Sequence, residues 1–350
     1  FAINLNLFSL LAITPHYLDG FWEPKAEEDN WSQPSTSTSS PHHKPASSTD
    51  ESPQTSCSSG SCRVSGFDLM VSSDEAARIA RYYVRREQTH WERMRILYTD
   101  IAVQQLFDIE LPECPYELRH LRPLTMTAFK GMVKSCLLAC YDHTLGLSGI
   151  EQLTSKADKN LLYRYVVMAD YVMGTAFLSS RVGLDEGLLV MTDGTYLRMR
   201  PLPTDQENEE TPATPEARKE RELFRMFMPL HVHHFLSVVE PFIALDISFS
   251  EYAILKAITT WQLAHFRVSA ECRTLCEQQR NLLVAALHGV AIERGCTAET
   301  APIRVGNLLL YLANVMEFTQ GDFLSLFFRV TYFDLHDIEP LIRTMCSHVY

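Results

Sequence analysis

Three histidines stand close together in His231-Val232-His233-His234, and imidazoles at such spacing are a metal-ligand pattern. Their neighbours argue otherwise. Leu230, Phe235 and Val238 mark a packed helix, and no acidic or cysteine partner falls within a turn on the same face. Cys57 and Cys62 bracket Cys-Ser-Ser-Gly-Ser-Cys but lack the further ligands that a four-coordinate zinc site needs. The remaining cysteines, Cys136, Cys140, Cys272, Cys276 and Cys346 among them, sit in apolar stretches and read as small buried hydrophobes of a reduced, intracellular protein. There is no Gly-rich phosphate loop, no nucleophile elbow around a serine, and no pair of carboxylates in an apolar setting. The expectation is therefore no enzyme activity, no metal and no cofactor.

The formal net charge of -12 argues against a phosphate-binding surface, because nucleic-acid affinity comes largely from lysine and arginine displacing counterions. No direct nucleic-acid contact is expected. The most apolar stretch, Phe1 to Thr14, is shorter than the ~20 residues a spanning helix requires, so no membrane contact is expected either. It lacks an initiator Met and a basic flank, and reads as the start of a fragment or a short docking segment.

Residues 1–29 have no legible role. Residues 30–65 are dominated by Ser, Thr, Pro and His, a composition that buries too little apolar surface to offset chain entropy, and are expected to form a disordered linker. A folded domain is expected over 66–350, its core beginning near Glu92. The polar tract 201–220, with Pro201, Pro203, Pro212 and Pro215, is expected to be an exposed loop within it.

The period inside that domain is helical. Phe129, Met132, Val133, Cys136, Leu137, Cys140 and Tyr141 fall at three- and four-residue steps and make one wide stripe. Asp158 to Ser180 is apolar nearly all round, which predicts a helix sandwiched between others and a layered domain. Leu188 to Met199 breaks the period. Two short apolar runs flank Thr192-Asp193-Gly194-Thr195, where Asp-Gly supplies the positive φ of a tight turn, so one small β-hairpin is expected near 188–198. Helical patterns resume over 222–239, 248–265, 270–294 and 300–319, and Ser248 with Glu251 has the spacing of a capping box.

Four pieces in order resemble the ligand-binding domain of nuclear hormone receptors, in particular the nematode-type receptors. They are Gly149-Ile150-Glu151-Gln152-Leu153 through Asp158-Lys159 to Leu161-Leu162; Glu251 ahead of Leu255-Lys256-Ala257-Ile258; the helix from Arg304 to Val315; and Asp337 to Cys346. The resemblance implies an all-α, three-layer antiparallel helical sandwich, a nuclear location and transcriptional regulation. It implies an ion pair between Glu251 and Arg304, and an activation helix carrying Leu341, Ile342, Thr344 and Met345. It also implies a lipophilic small molecule held by Phe129, Val133, Cys136, Cys140, Met168, Tyr171, Val172 and Thr175, and a coregulator helix as partner. The alternative is that these side chains fill the core, leaving a ligand-free module that homo- or heterodimerises through the 304–318 helix and modulates complete receptors. The sequence departs from the family at the charged grip on the coregulator: Thr344 stands where the family has glutamate and Leu145 where it has lysine, with Glu339 a turn away as a substitute. The family's zinc-finger module does not occur in these 350 residues.

Overall fold

The computed structural model describes residues 72–102, 104–105, 112–125, 129–199, 214–323 and Pro340. The chain divides between Val64 and Ser65, and all described residues lie in the second unit. The expectations for 1–29, for the linker and for the activation helix lie outside them.

Helix α1 (Ser73–Tyr98) opens on Ser72, whose hydroxyl accepts from the Glu75 N–H at 3.2 Å. Its buried face, Ile79, Tyr83, Trp91 and Met94, belongs to the core, so the core reaches well back past Glu92. The expected boundary was late because α1 is polar over most of its circumference and its apolar residues are widely spaced.

Helix α2 is Phe129–Leu145. Helix α3 (Lys156–Ala169), capped by Ser155, continues through a π segment (Asp170–Gly174), the short α4 (Thr175–Leu178) and a second π segment (Ser179–Gly183). Strands β2 (Leu188–Val190) and β3 (Thr195–Arg198) form the hairpin, with Gly194 at φ +76° in its turn. A short strand β1 (Arg122–Pro123) pairs parallel to β3, so the hairpin is part of a three-stranded sheet. The sheet lies hard against the end of the central helix: a Cβ on Gly183 would stand 2.6 Å from the Leu188 carbonyl oxygen.

Helix α5 (Pro215–His234) begins with Pro at its first turn after the capping Thr214, so the last six residues of the expected 201–220 loop are helical. Proline at the N-terminus of a helix removes a donor that has no partner there, which is why a Pro count alone misreads this stretch as loop. A π segment (Phe235–Val239) and α6 (Glu240–Ala244) follow, then α7 (Phe249–Ala264), α8 (Ala270–Glu293), α9 (Ala301–Glu317) and a final π segment (Phe318–Phe323).

Helix α7 is the spine. All but two of its residues are buried, and it packs on α1, α3, α8 and α9. Such a helix must be covered on every side, which makes the all-helical fold a layered one. Its Tyr252 stacks on Phe177 with ring centroids 4.6 Å apart, and Phe177 stacks on Trp91, tying α7, α4 and α1 into one core. Among the described residues no helix is long and apolar enough to cross a membrane.

Candidate functional site

A charged centre lies at the middle of this packing. Lys256 of α7 has an apolar neighbour on almost every side, and its ammonium Nζ lies 2.8 and 3.0 Å from the Glu87 oxygens and 2.6 Å from Asp170 Oδ1. Tyr252 donates to Glu87 at 2.7 Å, and His90 Nε2 lies 2.9 Å from Asp170 Oδ1, off the angle of a hydrogen bond. All of these residues are buried. Burial pushes the Asp170 carboxyl up, but His90 and Lys256 outweigh it and hold the group well below the usual carboxylate range. Burial pushes the Lys256 ammonium down, and Asp170 and Glu87 more than reverse that.

Glu87, His90 and Asp170 are residue types that ligate metals, with ligand atoms within 4.8 Å of one another. The space between the carboxylates, however, holds the ammonium of Lys256, a cation the chain supplies itself. The expectation that no carboxylates pair in an apolar setting is thus corrected: two do, each on a different helical element and far apart in sequence. The signal was a lysine in the middle of an otherwise apolar run, since a buried charge requires partners.

The pocket candidates surround this centre and the hairpin. Phe129 and Val133 lie in the first turns of α2, and their side chains are outside the described residues. Cys140 is buried against Asp170, whose proximity adds to the burial that pushes its thiol up. Half-buried Cys136 lies 3.4 Å from the Tyr98 hydroxyl and 3.9 Å from Thr192 Oγ1 in the hairpin turn. Thr175 donates to Met191 Sδ at 4.0 Å, and Met168 and Val172 are buried in the core. Tyr171 turns to α5, its hydroxyl 3.2 Å from His231 Nε2. The π segment explains why Asp170 and Tyr171, adjacent in sequence, serve two different neighbourhoods: an added residue per turn rotates successive side chains off the regular helical stripe.

The histidines singled out in the sequence do not converge on a metal. His231 Nδ1 pairs with the Phe227 carbonyl at 2.9 Å, and His234 Nε2 with the Val172 carbonyl at 3.1 Å. His234 is stacked between Tyr171 and Phe318.

Two further features frame the site. Glu251 receives Arg304 in a two-pronged pair, Nε to Oε1 at 2.8 Å and Nη2 to Oε2 at 2.9 Å, and Arg294 Nη1 at 2.6 Å. Its Oε2 also accepts from the Ser248 N–H at 2.9 Å, closing the capping box of α7. On the outer side of α2, Leu138, Tyr141 and Leu145 are exposed at intervals of three and four residues, making an uncharged strip.

Together the layered helical fold, the sheet beside the central helix and the Glu251–Arg304 tie define a receptor-type ligand-binding domain. Residues 117–320 match the ligand-binding domain of nuclear hormone receptor, and the chain belongs to that family, a family of transcription factors rather than enzymes. It is similar to the nuclear hormone receptor family members nhr-22, nhr-11 and nhr-13 of Caenorhabditis elegans. The identities are 32%, 27% and 26%, over 80%, 80% and 79% of this chain and 48%, 60% and 63% of those proteins. The chain thus spans about half to three-fifths of the length of the relatives it matches.

Proposed function

We propose that the chain is the ligand-responsive region of a nuclear transcriptional regulator, taking a lipophilic small molecule between α2, the central helix and the hairpin. The observation that carries this reading is the convergence of Cys136, Tyr171 and Thr175, from two helical elements, on the hairpin turn and the adjoining α5. Apolar contact there stabilises an enclosed ligand by ~25 cal/mol per Å². A ligand touching several elements at once biases the equilibrium among their arrangements, so the effect is a population shift and not catalysis.

The exposed strip Leu138, Tyr141 and Leu145 supports a coregulator helix as partner, since an amphipathic helix lays its apolar face on such a row. With Leu145 uncharged, the strip offers shape and apolar area without a positive charge at that end.

Dimerisation is supported by a second surface. The outward face of α9 carries Ile303, Gly306, Leu310 and Ala313, with no charge along that row until Glu317, and Ile303 and Leu310 are among the most exposed large apolar side chains. This face favours the alternative reading, a ligand-free module that pairs with complete receptors.

Native mass spectrometry of the full chain from a eukaryotic host, before and after organic extraction, separates the two. A stoichiometric lipophile lost on extraction supports the ligand-responsive regulator. A bare dimer under gentle ionisation overturns it in favour of the pairing module.

A further inference from the structure

The polar groups beside Tyr171 constrain what a ligand there must bring. A carbonyl oxygen only accepts, so His231 Nδ1 must carry the proton it gives to Phe227, and His234 Nε2 the one it gives to Val172. Burial holds both rings neutral, His231 lowered to about 4 and His234 to about 3. A neutral imidazole with one nitrogen protonated offers a lone pair at the other. His231 Nε2 uses its lone pair on the Tyr171 hydroxyl, which therefore donates to it. Thr175 gives its proton to Met191. The donors of this group are spent on the protein itself.

One acceptor remains. His234 Nδ1 is fully buried and has no hydrogen-bond partner, although its ring is fixed by the Val172 carbonyl and by stacking between Tyr171 and Phe318. A buried acceptor left unpaired costs the desolvation of that group, so the site favours an occupant that supplies a proton to it.

The charges nearby have the opposite preference to that of an anion binder. Buried Asp193, held by the Thr195 N–H at 3.0 Å and hydroxyl at 2.7 Å, acts on the Tyr171 phenol and pushes it up together with burial. Among the described residues no lysine or arginine contacts Tyr171, His231 or His234. Lys256 is committed to Glu87 and Asp170, and Arg95 to the carbonyls of Pro112, Cys114 and Pro115. A carboxylate only accepts, and its charge is costly to bury without a cation.

We infer that the ligand of this site is a neutral lipophile bearing a hydroxyl or comparable donor, which pairs with His234 Nδ1, and is not a fatty-acid anion. The inference rests on the proposed pocket.

The test compares three probes of equal chain length on the full chain at neutral pH: hexadecanol, its methyl ether and hexadecanoate, each titrated against one reporter lipid. Hexadecanol is expected to bind about five- to tenfold more tightly than the ether, which lacks only the donor, and more tightly than the acid. In His234→Phe, which keeps a ring between Tyr171 and Phe318, the alcohol and ether should become equal. Equal binding of alcohol and ether by the unmodified chain overturns the inference and leaves the pocket standing. So does tighter binding of hexadecanoate, and neither result depends on the variant folding. If none of the three binds, the pocket reading fails and this inference with it.

Discussion

Lys256 and Asp170 are 86 residues apart in sequence, and their Nζ and Oδ1 atoms meet at 2.6 Å in a region where both side chains are about 3% exposed. The ammonium is shared with Glu87, so one lysine fastens α7, the π segment and α1 to one another. Removing one partner of a buried ionic cluster leaves uncompensated charge behind.

Lys256→Met is therefore expected to lose about 3–5 kcal/mol of unfolding free energy in urea titrations. The pH dependence gives a second readout. In the native chain Asp170 titrates below its ordinary range, so its stabilising share is present above its unfolded value of 3.8 and declines as pH falls below it. Without the lysine, two buried carboxylates face each other and one takes up a proton more readily, so the deficit of the variant should shrink as pH falls from 8 to 5. A deficit that stays constant across that range would contradict this account of the cluster.

The buried histidines predict acid sensitivity of the native domain. His231 and His234 are lowered to about 4 and about 3 from an ordinary 6.5, and burial holds His143 well below that value too. The folded state disfavours their charged forms while the unfolded state accepts the proton. The stability they contribute is complete above pH 6.5 and is lost as pH falls toward the folded values. Each is expected to cost about 2 kcal/mol by pH 5. Thermal melts from pH 7.5 to 5 should show a steep fall in Tm that His231→Phe and His234→Phe make shallower; slopes unchanged in both variants would refute the assignment.

Much of the fold was legible because its signals are local. The Ser248–Glu251 capping box, the Asp193-Gly194 turn and the apolar run around α7 each declare themselves within a few residues. What escaped was non-local or broke a period. Glu87 and His90 lie on a helix whose apolar positions are widely spaced, and their meaning depends on Lys256 more than 160 residues away. The π segment at Asp170 rotates Tyr171 toward α5, which a regular 3.6-residue reading of 158–180 cannot show. For the site itself, the residue types at Cys136, Tyr171 and Thr175 were readable, but the donor and acceptor pattern around His234 required the partners of each nitrogen.

Glu251 gives a third prediction. Its carboxylate is buried and accepts from Arg304, Arg294 and the Ser248 N–H at once, joining the start of α7 to the end of α8 and the start of α9. Arg304→Lys keeps the charge but cannot reproduce the fork, and should cost about 1–2 kcal/mol, whereas Glu251→Ala strands two guanidinium groups and should cost about 3 kcal/mol or more. Hydrogen exchange should report the loss first in the opening turns of α7 and α9. Arg304→Lys matching the native chain in urea would show that the geometry of the fork is immaterial.

The strip on α2 gives the last. Leu138, Tyr141 and Leu145 are more than half exposed, so polar substitution there should leave stability within about 0.5 kcal/mol of the native value. Its effect should appear in binding. Leu138→Asp places a charge under the apolar face of a docked helix, and should abolish capture of a synthetic amphipathic peptide with leucines at helical spacing. Leu145→Lys should act in the other direction. It sets a cation where the carboxyl end of the peptide helix dipole would lie, worth about 0.3–1 kcal/mol, or a roughly two- to fivefold gain in affinity. Raising ionic strength should erase that gain and leave the native affinity unchanged, because the native strip has no charge to screen. Fluorescence anisotropy of the labelled peptide measures both variants, and a Leu138→Asp chain that still binds like the native one would remove α2 from the coregulator surface.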